Sequence, residues 1–276
     1  MARFRMLSEN FFNIHTFRGH TITASTFQAG NEPWRVGTGR RSSRNAWISP
    51  TTGSQYVRVD CDEVRAADTL VLDRGHNLAS VSIQFTNSTA AGWGTAKAVT
   101  LPTKTYPNLK LTEGARTPEG AYIVQFGTST GTPVAKNWRI LCATTATGKP
   151  KVVGAYLGKS FSPAADALRP WDDDTVEMQR TEVVSPEYWT AGSRVAVRRV
   201  GSLQTRLTDA EGDFARYHVR DLYWQGELAW FTPNVDDAQR TVLGTAPSGA
   251  RGLTYPEDWP TRVLGIEWVE HQPKQE

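Results

Sequence analysis

With 276 residues, 39% of them hydrophobic and ten of them tryptophan, the chain carries apolar material for two modest folded units and falls outside the disordered class. Its 31 Lys/Arg against 28 Asp/Glu leave a net charge of +3, which gives no reason to expect a nucleic-acid partner. The longest apolar runs fall far short of the ~20 residues that cross a bilayer, and MARFRMLSENFF lacks the apolar stretch of a secretory signal, so neither membrane insertion nor export is expected and folding in the cytoplasm is.

The charge is uneven along the chain. Residues 1–150 hold 17 Lys/Arg against 9 Asp/Glu, and residues 151–276 hold 14 against 19. Halves of opposite sign suit contact between copies, or with different partners on either side.

Met1–Phe17 reads as an N-terminal arm or first strand leading into the first folded unit. The stretch Ala29–Arg44 is rich in Gly, Arg and Ser and is a loop, followed by Trp47. In Gln55–Cys61, Val57, Val59 and Cys61 alternate with Tyr56, Arg58 and Asp60, the period of a half-buried strand. Thr69–Leu72 is a continuous apolar run that stops in the polar turn Asp73-Arg74-Gly75-His76-Asn77, after which Ala79, Val81, Ile83 and Phe85 resume the alternation. Residues 100–137, punctuated by Pro102, Pro107, Pro118 and Pro133, read as short strands on long turns, with Tyr122–Phe126 the clearest strand. A further strand-rich stretch runs from Trp138 to Phe161. Cys61 and Cys142 both sit in expected strands and read as two buried, unpaired thiols.

Ser162–Asp174, SPAADALRPWDDD, has the composition of a linker. Beyond it, strands are expected at Thr181–Val184, Arg194–Val200 and Leu203–Leu207. Thr208-Asp209-Ala210-Glu211 then forms a capping box that starts a helix over about 209–224, with Phe214, Tyr217 and Leu222 on its covered side. Strands at Leu228–Phe231, Arg240–Leu243 and Arg262–Val269 close the chain.

These segments carry a resemblance. A tryptophan before a VRVDC strand, an apolar strand running into LDRGHNLA, and a late NWRI strand followed by VVGAYLGKSF resemble the galactose-binding-like (discoidin-type) β-sandwich found in tailed-phage tail proteins. The resemblance covers roughly residues 10–162, and the capped helix after LQTRLTDAE looks like the C-terminal part of phage tail and baseplate proteins. It implies a mainly β chain: an antiparallel jelly-roll sandwich over 1–162, a linker over 163–174, and a smaller β-rich assembly unit with one helix over 175–276. The implied role is a virion structural protein, a minor tail, tail-tip or baseplate component assembled in the host cytoplasm. Its implied partners are other tail proteins and copies of itself, with host-surface glycans a further candidate. Many such domains bind sugars, so the alternative is a carbohydrate-binding module, free-standing or attached to a glycoside hydrolase.

For chemistry, no nucleophile elbow, phosphate loop, dinucleotide fingerprint or zinc spacing is present, and neither catalytic residues nor a cofactor nor a metal are expected. The five histidines are scattered, and Asp172-Asp173-Asp174 lacks the alternate spacing of a calcium loop. Two clusters are candidate ligand or partner sites. Trp34, Arg35, Arg40, Arg41 and Trp47 combine aromatic faces with guanidinium donors, with no acid between Glu32 and Asp60. Arg74, His76 and Asn77 could meet sugar hydroxyls at a sandwich rim; read structurally, the same turn uses Gly75 and Asn77 for positive φ and Asp73 as a cap, with His76 tucked beneath.

Overall fold

The computed structural model describes residues 4–42, 44–88, 92–101, 110–118, 120–127, 131–143, 148–164, 167–185, 188–247 and 262–271. Over 167–185 and 188–199 it describes the backbone. Up to residue 158 the described residues hold twelve strands: β1 (Arg5–Leu7), β2 (Thr21–Ala24), β3 (Trp47–Ile48), β4 (Gln55–Ala66), β5 (Thr69–Leu72), β6 (Ser80–Thr86), β7 (Gly94–Thr100), β8 (Ala115–Arg116), β9 (Tyr122–Gln125), β10 (Val134–Ala143), β11 (Lys151–Val152) and β12 (Ala155–Gly158). Five of them form an antiparallel sheet in the order β2-β4-β10-β6-β7, and four form a second in the order β12-β5-β9-β8.

The two sheets stack face to face as a β-sandwich. Val57, Val59 and Cys61 of β4, as their alternation requires, turn inward with Val81, Ile83, Trp138, Ile140 and Cys142 and meet Leu70, Leu72, Tyr122, Val124 and Leu157 of the four-stranded sheet. Both cysteines are free and buried, and burial pushes each thiol up to about 12. On the outer face of the five-stranded sheet, the Arg139 guanidinium lies 4.2 Å from the Trp93 ring centroid and 5.3 Å from that of Tyr56.

The four-stranded sheet is covered on its other face as well. Val71, Ile123 and Tyr156, the alternate residues of the same strands, pack against Leu7, Trp230 and Leu243. Burial on both faces is why Thr69–Leu72 and Ala155–Gly158 read as continuous apolar runs and not as alternations.

The third layer contains β13 (Ala167–Ser185), β14 (Tyr188–Leu207), β15 (Ala229–Thr232), β16 (Val242–Thr245) and β17 (Arg262–Glu270), joined by β1 in the order β1-β15-β16-β17-β14-β13. On its far face Phe4, Met6, Phe231, Leu264, Ile266 and Trp268 pack against the helical segment through Ala215, Val219 and Tyr223. That segment opens as α1 (Asp209–Ala215), widens into π-helical turns over Arg216–Leu222 and ends with a 3-10 turn at Gly226, whose φ is +97°. The expected cap is in place: the Glu211 carboxylate accepts the Thr208 amide and hydroxyl, each at 2.8 Å. The covered side of the helix is carried by Ala215, Val219 and Tyr223 with Leu222, while Phe214 and Tyr217 are only partly buried.

The chain is therefore mainly β, an antiparallel sandwich followed by a β-rich unit with one helix, but its halves are laced together. β1, expected to lead into the sandwich, pairs instead with β15 through Arg5↔Thr232 and Leu7↔Trp230, and Met6 exchanges two backbone hydrogen bonds with Phe161. The stretch 163–174, expected as a linker, includes the first eight residues of β13. Pro170 sits there on an edge strand, where the register with β14 shifts and no ladder donor is needed. The strands expected at Arg194–Val200 and Leu203–Leu207 are one strand. Gly201 between them pairs with Trp268 of β17, whose ring lies over it, and a Cβ would meet that ring at 2.2 Å. Among the described residues no helix is long and apolar enough to cross a membrane.

Candidate functional site

The loop of residues 37–42 leaves the 3-10 turn Pro33–Gly37 and runs along the seam between the sandwich and the six-stranded sheet. There it meets the turn after β5. Arg41 Nη2 lies 2.9 Å from Asp73 Oδ1 and Nε lies 3.0 Å from Oδ2, with side chains 1% and 2% exposed. Arg41 Nη1 also donates to the His271 carbonyl at 3.0 Å, and the guanidinium stands 5.6 Å from the Trp230 ring centroid. The two expected clusters thus join through Arg41 and Asp73, and the joint is a buried bolt between layers.

The other expected site residues divide. Trp47 is fully buried in the sandwich core and its indole Nε1 donates to the Thr26 carbonyl at 2.9 Å, so it presents no face to a ligand. Trp34 is 41% exposed with the Arg35 guanidinium 5.3 Å from its ring centroid, and Glu32 holds Arg35 at 2.7 Å. The Arg35 partnership pulls the Glu32 carboxyl below its ordinary value. Arg40 is exposed at the seam.

In the 73–77 turn Gly75 has φ +86°, and Asp73 Oδ1 accepts the Arg74 amide at 2.7 Å. The Asn77 side chain staples the opposite loop, donating to the Lys149 carbonyl and accepting the Lys151 amide, both at 2.8 Å. Burial, with the Arg116 charge adding to it, pushes His76 down to about 4, leaving a neutral imidazole under the turn. Arg74 is half-buried beside it. The arrangement is that of a turn built to hold its shape.

The seam itself holds a half-open cavity of about 760 Å³, within the size range of small-ligand sites. Its walls come from both units: Asn13, Gly39 and Arg40 on one side, Tyr156 from β12, and Glu227, Leu228 and His271 on the other. Glu227 follows the helix-ending Gly226. Its carboxylate accepts the Asn13 amide at 2.6 Å and the Thr16 hydroxyl, tying the six-stranded sheet's unit to the N-terminal loop. Tyr156 is 3% exposed, its ring edge-on to Trp230 at 5.7 Å, and its hydroxyl has no hydrogen-bond partner among the described residues. Burial, the nearby Asp73 charge included, pushes that phenol up, so it stays an O–H. None of Asn13, Tyr156, Glu227, Leu228 or His271 stood out in the sequence. They are scattered over the whole chain, and only the stacking of the layers brings them together.

Among the described residues, no catalytic constellation opens onto this cavity. Ser8 Oγ lies 3.0 Å from His218 Nδ1, but both are buried among Phe161, Phe214 and Tyr217, away from its walls. His20 is a satisfied core histidine, between the Phe11 carbonyl and Asp62, while His15 is exposed. Among the described residues no group of histidine, cysteine and acid side chains could hold a metal ion. The side chains of Asp172, Asp173 and Asp174 lie outside the described ones.

No protein-family model matches the chain, and no curated protein matches it. Solved structures that it resembles in part include the family 32 carbohydrate-binding module of Clostridium perfringens NanJ in complex with galactose, at 11% identity, covering 53% of this chain and 96% of that one with a TM-score of 0.39. Chitosan-binding module 2 of a Paenibacillus chitosanase/glucanase, in complex with chitotriose, matches at 20% identity, 51% and 96% coverage and a TM-score of 0.38. A Ruminococcus gnavus fucosidase of family GH29 matches at 14% identity over 55% of this chain and 27% of its own, with a TM-score of 0.41.

Proposed function

We propose that the protein is a non-catalytic assembly subunit of a tailed-bacteriophage virion, a minor tail, tail-tip or baseplate component that joins copies of itself and neighbouring tail proteins. One observation carries the assembly role. β14 pairs with β17 only over Val200–Leu207, whereas β13 and β14 pair with each other out to Ser185↔Tyr188. Among the described residues, Thr175–Ser185 and Tyr188–Arg199 thus form a two-stranded ribbon beyond the sheet, roughly 35–40 Å long at ~3.3 Å per residue. An isolated two-stranded ribbon is marginal in water, and each of its edges presents unpaired N–H and C=O groups. A neighbouring subunit that pairs with or covers it supplies what the described residues do not. The sequence resemblance supports placing that subunit in a phage tail.

The test shortens the ribbon to an Asn-Gly turn between the paired residues Glu177 and Arg198 and compares mass by light scattering with the intact chain. The expected result is an oligomer that becomes a monomer with unchanged thermal unfolding. Equal masses for the two chains, or an intact chain that is monomeric and absent from purified virions, would overturn the reading.

A second reading, a carbohydrate-binding module, is favoured by the seam cavity: lined by apolar side chains together with charged ones of both signs, and without a catalytic pair among the described residues, it suits holding a ligand without transforming it. Titration of the chain with simple sugars decides it.

A further inference from the structure

Resting on that second reading, we propose that the seam cavity is a binding site for a neutral saccharide of one or two units, held by Tyr156, Glu227, Asn13 and Arg40. Three features of the cavity point to a built site and not to loose packing. The first is the Tyr156 hydroxyl, almost wholly buried and without a partner among the described residues. A buried hydroxyl left unpaired costs about 1–3 kcal/mol, and a ligand hydroxyl placed beside it removes that cost.

The second is Gly39, with φ +69° at the cavity wall. A Cβ there would come within 2.5 Å of Leu228 Cδ1 and 3.8 Å of the Tyr156 hydroxyl, so a larger residue would displace Leu228 from the place at the wall that bare glycine backbone lets it take. The third is Glu227. Asn13 and Thr16 fix its carboxylate, and a carboxylate offers roughly four acceptor positions, so it retains capacity to take a pair of adjacent ligand hydroxyls.

The ligand class follows from charge and shape. Arg41 is already neutralised by Asp73, and the remaining charges at the wall, Arg40 and Glu227, are opposite in sign. A strongly anionic or cationic ligand would meet one of them unfavourably. A neutral polyol meets a guanidinium donor, a carboxylate acceptor, and a phenol that does both, while Leu228 and the Tyr156 ring offer an apolar wall to its C–H face. The site needs residues from both halves of the chain, unlike the exposed Trp34 platform or the 73–77 turn.

The experiment is calorimetric titration of the full chain with D-galactose, N-acetyl-D-galactosamine, N-acetyl-D-glucosamine and D-glucose at millimolar concentrations. At least one is expected to bind. Tyr156→Phe is expected to weaken it about tenfold, the loss of one hydrogen bond to ligand, with no loss of thermal stability because that hydroxyl has no protein partner to lose. Glu227→Gln is a second variant, expected to weaken the same sugar, while Trp34→Ala leaves it unchanged. Binding of none of the four sugars overturns both this assignment and the reading beneath it. A sugar that binds the intact chain and both cavity variants equally, and is lost in Trp34→Ala, leaves the reading standing and overturns the cavity.

Discussion

Arg41 and Asp73, thirty-two residues apart, meet as a bidentate ion pair at the seam, with both side chains almost wholly removed from water. Their geometry and burial decide what a substitution does. Two charges buried together largely offset their own desolvation, but a single one left behind does not. Asp73→Leu is therefore expected to lower the unfolding free energy by about 3–5 kcal/mol. Adding Arg41→Met to it is expected to restore part of that loss. Urea unfolding of the three chains checks the order. A single variant as stable as the parent would show that the pair is not excluded from solvent.

His218 gives the molecule a sensitivity to acid. Burial pushes its folded imidazole down to about 3, with the Lys159 charge adding to the effect, whereas the unfolded value is near 6.5. The unfolded chain thus takes up a proton that the folded one refuses, so the stability is whole above the unfolded value and is lost as pH falls through the window from 6.5 toward 3. At ~1.4 kcal/mol per pH unit the loss between pH ~7.5 and pH ~5 is about 2 kcal/mol. His76 acts in the same sense but is less enclosed. Glu9, raised by burial, acts in the opposite sense, its contribution fading as pH rises. His218→Phe, whose ring can sit between Phe161 and Phe214, is expected to flatten the acid limb of an unfolding profile. An unchanged limb would remove His218 as its source.

Cys61 and Cys142 face the sandwich core, and their thiols are pushed up to about 12. Thiolate is the reactive form, so both are expected to ignore an aromatic disulfide reagent at neutral pH in the native chain. Both should react once urea unfolds the sandwich, with the same midpoint as the loss of tryptophan fluorescence. Rapid native labelling would mean that the two sheets open locally.

Most of the sandwich was legible because burial writes itself into period. The alternation of Val57, Val59 and Cys61 assigned β4 a face, and Thr69–Leu72 announced a strand covered on both sides. What covers the second face was not legible. Leu7, Trp230 and Leu243 reach Val71 from opposite ends of the chain, and no local pattern records which sheet a strand will join. The same holds for the site. Trp47 and Trp34 look alike as letters, yet one fills a core and the other stands exposed, a difference set by the strand pairing of β3 with β11 and by the turn that carries Trp34. Glu227 and Tyr156 carry no motif at all; their meaning arises only where layers meet.

Gly37 shows how closely the N-terminal loop packs on residues 33–42. A Cβ at Gly37 would stand 1.6 Å from the Phe12 carbonyl oxygen, a contact with backbone that no rotamer change relieves. Gly37→Ala must therefore push the N-terminal loop away from residues 33–42, disturbing Asn13 and its hold on Glu227. The expected cost is about 3 kcal/mol, at the upper end of what overpacking does. Gly265 in β17 is the control, since a Cβ there meets nothing within 4 Å. Gly265→Ala is expected to be neutral or to stabilise by up to about 0.5 kcal/mol through the unfolded chain. Thermal unfolding of the two variants side by side checks the contrast. Equal midpoints would mean that the loop carrying Asn13 does not pack on residues 33–42 as the structure has it.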